Sequence, residues 1–194
     1  MRRHMAAAIC LATLCACTSS VGGTASSRSS MTDSSTPPTM SASTSRTPSP
    51  TRPREIRLDG KNPCDLMTAE QLAPIAPTTA PRPNTSSFLN APNCDFSATG
   101  AFWTVTIVTT EGMEEWTSGK RAGQATEIPP IAGFPAITVT LPTDRAACDI
   151  AIDVANGQYL FSGFEVGKSF ADTFPKPCEG ARVGAEAVIQ NLLK

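Results

Sequence analysis

Few side chains in this sequence suit nucleophilic or metal chemistry. The chain of 194 residues holds seven cysteines, one tyrosine and one histidine. The histidine is His4, inside a segment that reads as a removable leader, so the mature protein is expected to hold none. That excludes Ser-His-Asp and Cys-His catalysis and every histidine metal site. Carboxylates, lysines, hydroxyls and Tyr159 remain. Glu114 and Glu115 are neighbours on a predicted helix, diverge by about 100°, and read as a solvated face. Asp149 and Asp153 share one face of a predicted strand at roughly 13 Å, beyond the span of about 5–9.5 Å typical of glycosidase carboxylates. Gly112, Gly119, Gly123 and Gly133 fit no phosphate-loop pattern. The sequence predicts no enzyme, no cofactor and no metal. The alternative is a hydrolase working through carboxylates such as Asp149 and Asp153.

The cysteines divide by position. Arg2 and Arg3 precede an apolar stretch, Met5 to Ala16, broken only by Thr13 and too short to span a bilayer. It ends in Leu14-Cys15-Ala16-Cys17, which resembles a bacterial lipobox: an aliphatic residue, a small residue, then the cysteine that becomes the new N-terminus. Cys10 and Cys15 fit less well, since Ile9 and Leu14 precede them. The resemblance implies a signal peptide over 1–16 and a diacylglyceryl thioether on Cys17. With an N-terminal acyl chain of the palmitate type, this would anchor the protein stably to the outer face of the cytoplasmic membrane.

Residues 17–54 read as the lipidated cysteine and a disordered tether. From Thr18 to Pro53, twenty of thirty-six residues are Ser or Thr and five are Pro, with no apolar period to offset the entropy of ordering. Such a chain has a mean reach of about 30–35 Å.

Residues 55–194 are long enough for a globular domain with a genuine core. Residues 56–194 carry ten Lys/Arg and fifteen Asp/Glu, a net of −5 against −1 for the whole chain. This excess argues against electrostatic docking on nucleic acid or anionic lipid.

Within the domain, Thr68 and Gln71 form a capping box, with Met67 and Leu72 as its staple, for a helix that Pro74 ends. Pro74 to Pro92 reads as a loop. Phe102 to Thr109 alternates, with Trp103, Val105 and Ile107 inward. A helix is predicted from Met113 to about Arg121, and a strand over Phe134–Leu141 with Ile137, Val139 and Leu141 inward. Asn156-Gly157 predicts a type I′ hairpin that sets Val154 opposite Tyr159 and Ile152 opposite Phe161, with Asp149 and Asp153 on the other face. A last helix from about Glu179 to Leu193 buries Ala181, Ala185, Val188 and Leu192. Together these predict an α+β domain, an antiparallel sheet with helices packed on one face.

Cys64, Cys94, Cys148 and Cys178 remain for the domain. In an exported protein, four cysteines imply two disulfides, for which three connectivities fit. In each thirty-residue pair one cysteine follows a proline before a helix and the other begins or precedes a strand, which favours Cys64–Cys94 and Cys148–Cys178. A four-cysteine zinc site is disfavoured because no Cys-x-x-Cys spacing occurs.

Pro63-Cys64-Asp65-Leu66 before Thr68-Ala69-Glu70-Gln71-Leu72, then Asn93-Cys94-Asp95-Phe96, Ile131-Ala132-Gly133-Phe134-Pro135-Ala136, the Cys148 hairpin and Pro177-Cys178-Glu179 resemble actinobacterial secreted lipoproteins carrying domain of unknown function 3558. The resemblance implies an envelope lipoprotein and carries no activity with it. The domain is also similar to the PsbP-like type of α/β/α sandwich. The expected function is a non-catalytic binding or interaction domain in the cell envelope, taking a lipid or apolar ligand or an envelope protein and no nucleic acid. Its predicted contact residues are Phe88, Leu89, Trp103, Trp116, Phe164 and Phe170, apolar residues of the Pro-rich loop, the sheet and the segment before the last helix.

Overall fold

The alternation along Phe102–Thr109 is expressed as strand β3 (Ala101–Val108), whose Trp103, Val105 and Ile107 are buried on one side. The computed structural model describes residues 51–194, so the predicted leader, Cys17 and nearly all of the tether lie outside the described residues. Around β3 lie β1 (Arg82–Ser86), β2 (Ala91–Ala98), β4 (Gln124–Ile131), β5 (Phe134–Leu141), β6 (Asp144–Ala155) and β7 (Gln158–Val166). They form one antiparallel sheet in the order β1-β2-β3-β7-β6-β5-β4. Helices α1 (Ala69–Leu72), α2 (Glu114–Thr117) and α3 (Pro177–Leu192) complete an α+β fold.

The helices do not share one face as expected. α3 lays Ala181, Ala185 and Val188 on Trp103, Ile150, Ile152, Leu160 and Phe164, and α1 adds Leu72 to the same core. On the opposite face, Trp116 of α2 joins Leu89, Val108, Ile137, Val139, Tyr159 and Phe161 in a second, smaller core. The α1 capping box forms, with the Thr68 N–H donating to Gln71 Oε1 over 2.9 Å. α2 is shorter than predicted, because Gly119 takes a left-handed turn (φ +75°) that ends the helical run.

Both edge strands were missed. The predicted loop Pro74–Pro92 contains β1, and no strand is predicted where β4 runs. Each edge carries proline, Pro83 in β1 and Pro129-Pro130 at the β4 irregularity. Proline is tolerated at such places because an edge N–H needs no ladder partner.

The predicted hairpin register is off by one. One extra residue on β6, Val154, makes a bulge between Asp153 and Ala155, so Asp153 pairs with Tyr159, Ile152 with Leu160 and Ala151 with Phe161. A one-residue slip exchanges faces. Tyr159 and Phe161 therefore lie on the α2 side together with Asp149 and Asp153, instead of opposite them. Leu141, expected inward, is 45% exposed, because the β5–β6 register shifts between Val139 and Leu141.

The domain begins before its predicted boundary. Arg52, assigned to the tether, pairs with Asp153 at 2.5 Å and donates to Asn156. The Asn156 N–H donates to Glu55, and the Ile56 N–H donates to the carbonyl of the bulged Val154. The incoming chain thus clasps the turn end of the β6–β7 hairpin.

Candidate functional site

The far end of that hairpin carries a cleft of about 610 Å³. Its walls are the β5–β6 turn (Pro142 and Thr143) with the first residues of β6 (Asp144 to Ala146), Val166 at the end of β7, Lys168 and Ala171, and Pro175 to Pro177 leading into α3. Each wall has a local cause. Asp144 caps its turn by accepting the Ala146 N–H at 2.9 Å. A 3-10 turn over Lys168–Phe170 is pinned where the Phe170 ring packs on Gly100, leaving no room for a Cβ there. Lys176 is extended (ψ 148°), as the residue before a proline must be, and Pro177 starts α3.

The disulfide Cys148–Cys178, with Cα atoms 5.0 Å apart, ties β6 to the first turn of α3, so it clips the Ala146 wall to the Lys176 wall. Cys64–Cys94 forms the second predicted bridge and ties the start of the domain to β2. All four cysteines are consumed in disulfides. No group of three or more metal-ligating side chains is found among the described residues.

The cleft is amphipathic. Val166 is buried at its floor, with Pro142, Ala146, Ala171, Pro175 and Pro177 around it, while Arg145, Lys168 and Lys176 are exposed at the rim. From Asp144 at this end to Ala155 at the clasped end, β6 spans about 36 Å. The cleft and the point where the chain enters the domain are therefore at opposite ends of the sheet.

A second, shallower groove of about 320 Å³ lies on the α2 face. Across it run Asp95, Thr104, Gly163 and Asp149 in one register row. Gly163 leaves a notch that the Asp149 carboxyl and the Thr104 hydroxyl fill. Burial, and then the nearby Asp144 and Glu165 carboxylates, push the Asp149 pKa up to about 7. Alongside, the Thr106 hydroxyl donates to Asn93 at 2.8 Å and Asn93 donates to Asp95 at 2.5 Å. Asp153 lines a different cavity, beside Met113 and Glu114, and is occupied by Arg52. The two aspartates considered as a hydrolytic pair do not share a site.

The predicted contact residues are dispersed as well. Trp103 and Phe164 are buried beneath α3 with ring centroids 4.4 Å apart, and the Trp103 indole N–H donates to the Gly180 carbonyl. Leu89 and Trp116 are buried in the second core, where Trp116 stacks on Phe161 at 5.3 Å. Phe88 is 50% exposed beside Trp116, with the Arg121 guanidinium over both rings. Phe170 is the plug on Gly100. None of the six lines the large cleft. Its cationic residues escaped sequence reasoning, although Arg145 stands three residues before Cys148 and Lys176 two before Cys178. The expected pairing brings these two positions together.

These features define a class: an antiparallel α+β domain stapled by two disulfides and opening into a cleft beside the second. The sequence profile of the family described as protein of unknown function (DUF3558) matches residues 12–191, and the chain belongs to that family. No curated protein and no solved structure matches the chain. Among the described residues, no helix is long and apolar enough to cross a membrane.

Proposed function

We propose that the protein is an actinobacterial envelope lipoprotein, held on the outer face of the cytoplasmic membrane through an acylated Cys17, whose domain is a non-catalytic binding module for an apolar or amphiphilic ligand. The observation that carries this reading is the cleft, whose volume falls within the range of about 300–1,000 Å³ usual for small-molecule sites. A protein partner would call for a broad exposed apolar patch. Among the described residues the exposed large hydrophobics are instead the scattered Phe88, Leu141 and Leu193, which favours the small ligand. The separate cavities of Asp149 and Asp153 weigh against the hydrolase. The lipobox and the two disulfides support export. Layering helices on both faces of the sheet is in keeping with a PsbP-like sandwich. The domain's acidity opposes a nucleic-acid partner.

Native mass spectrometry of the protein released gently from host membranes tests the reading. A retained acyl-bearing guest, beyond the protein's own anchor, is expected. A bare lipoprotein mass that also fails to take up added amphiphile overturns the binding role, and a mass without any acyl addition on Cys17 overturns the anchoring.

A further inference from the structure

The domain is acidic, yet three of the five uncommitted cations among the described residues line one cleft. Among the described residues, Arg52, Arg57, Lys120, Arg121 and Arg182 are held in ion pairs. Arg54 donates to the Leu193 carbonyl and Lys194 to Asn191. That leaves Lys61, Arg82, Arg145, Lys168 and Lys176 with no such partner among the described residues, and the last three line the same cleft. They come from three separate segments: the start of β6, the 3-10 turn after β7, and the residue before α3. The fold gathers them; no run of basic sequence does.

The carboxylate that lines the cleft, Asp144, already accepts the Ala146 N–H on Oδ1. Three cations against that one carboxylate leave the mouth of the cleft with a net positive charge, which an anion at the rim would offset. Below the rim the walls turn apolar, down to the buried Val166. Charge at the mouth and hydrocarbon beneath is the complement of a single-headed anionic amphiphile.

We infer that the cleft between the β5–β6 turn and the start of α3 binds an acyl amphiphile with an anionic, phosphate-type headgroup, Arg145, Lys168 and Lys176 holding the headgroup and the Val166 floor receiving the start of the chain. This rests on the proposed binding function and names its ligand class. The net −5 of the domain repels an anionic surface at large, while one cationic mouth admits a single anionic headgroup. Guanidinium and ammonium donors are the groups that recognise phosphate oxygens, with Arg145 able to bind two at once.

The test is isothermal titration of the full chain carrying Cys17→Ser with dodecyl phosphate, dodecyl maltoside and inorganic phosphate, all below micelle-forming concentration. Dodecyl phosphate is expected to bind at least about tenfold tighter than dodecyl maltoside, and inorganic phosphate at least about a hundredfold weaker than dodecyl phosphate. Arg145→Gln, Lys168→Gln and Lys176→Gln should each loosen dodecyl phosphate by about 2–5-fold at low salt, the upper part of the range for exposed charge contacts. Lys61→Gln removes an exposed cation elsewhere and should change nothing. Equal binding of the two dodecyl compounds overturns the anionic headgroup while leaving a binding cleft. Inorganic phosphate as tight as dodecyl phosphate overturns the acyl part. An equal loss with Lys61→Gln reduces the effect to net charge and overturns the site. Binding of none of the three overturns the cleft as a ligand site altogether.

Discussion

The two faces of the sheet solve one problem by different means. Under α3 the contact is apolar and close: Gly180 and Gly184 let the helix approach until Phe164 and Ser162 occupy the space their side chains would need. Both disulfides anchor on this face, through the buried Cys94 and Cys148. The opposite face has only the four-residue α2 to cover it. Half is closed by Trp116 and by Arg121, which is bidentate on Glu111, itself hydrogen-bonded by the Tyr159 hydroxyl at 2.7 Å. The other half keeps the polar row around Asp149 open. A sixteen-residue helix can cover its face by dispersion and apolar burial; one turn cannot, and charge makes up the difference. The α3 face should thus dominate stability, and the α2 face should carry the pH response.

The largest effect expected is on the stapled face. Removing Cys148–Cys178 with paired serines should lower unfolding free energy by about 3–4 kcal/mol, measured by urea denaturation. Hydrogen exchange should accelerate at the start of α3 and leave the α2 segment unchanged. A loss spread evenly over both faces would mean that the α3 face does not dominate stability. Next comes Gly180→Ala. Alanine is the better helix former by about 1 kcal/mol, but its methyl would meet the buried Phe164 ring, and a net loss of about 2–3 kcal/mol is expected. Gly119→Ala, in the open loop after α2, meets no neighbour and should cost about 1 kcal/mol, through its positive φ alone. If the two substitutions cost the same, close approach does not distinguish the faces.

The same contrast explains what was legible beforehand. β3, α3, the capping box of α1 and both disulfides were readable because their signals are local: alternation, a small-residue stripe, a reciprocal cap, and cysteines in repeated contexts. The hairpin was legible in its turn but not in its register. Asn156-Gly157 fixes where the chain reverses, whereas the Val154 bulge answers to a distant partner, the Ile56 N–H at 2.8 Å. β4 was hidden because its turn is Ala132-Gly133, with alanine at φ +50° where Asn or Gly would advertise the reversal. The cleft was least legible. Its cations lie in three segments, and no periodicity in a sequence registers what a disulfide brings together.

On the α2 face, Asp149→Asn should show an effect of about 1–3 kcal/mol that depends on pH. The native carboxyl keeps its proton up to about pH 7, the unfolded one only to about pH 4, so between these values the native state binds more protons. Stability from this group is therefore present at low pH and lost as pH rises through that window. The amide, which never ionises beside Asp144 and Glu165, should raise the melting temperature at pH 8 and leave it nearly unchanged at pH 4. An equal gain at both values would mean that packing, not charge, governs the groove.

The smallest effect, Phe88→Ala, decides between the faces as ligand seats. Phe88 is the one predicted contact residue left half in solvent, 5.8 Å from the Trp116 ring and 5.9 Å from the Arg121 guanidinium. Exposed aromatic and cation–π contacts of this kind contribute at most about 1 kcal/mol each, so truncation should cost about 1 kcal/mol of stability. Dodecyl phosphate affinity should not move, because neither Phe88 nor its neighbours line the cleft. The comparison with Lys176→Gln is then direct, one substitution on each candidate seat with the same titration as readout. A larger loss of affinity from Phe88→Ala than from Lys176→Gln would transfer the ligand to the α2 face and make the aromatic loop, not the cationic mouth, the recognition element.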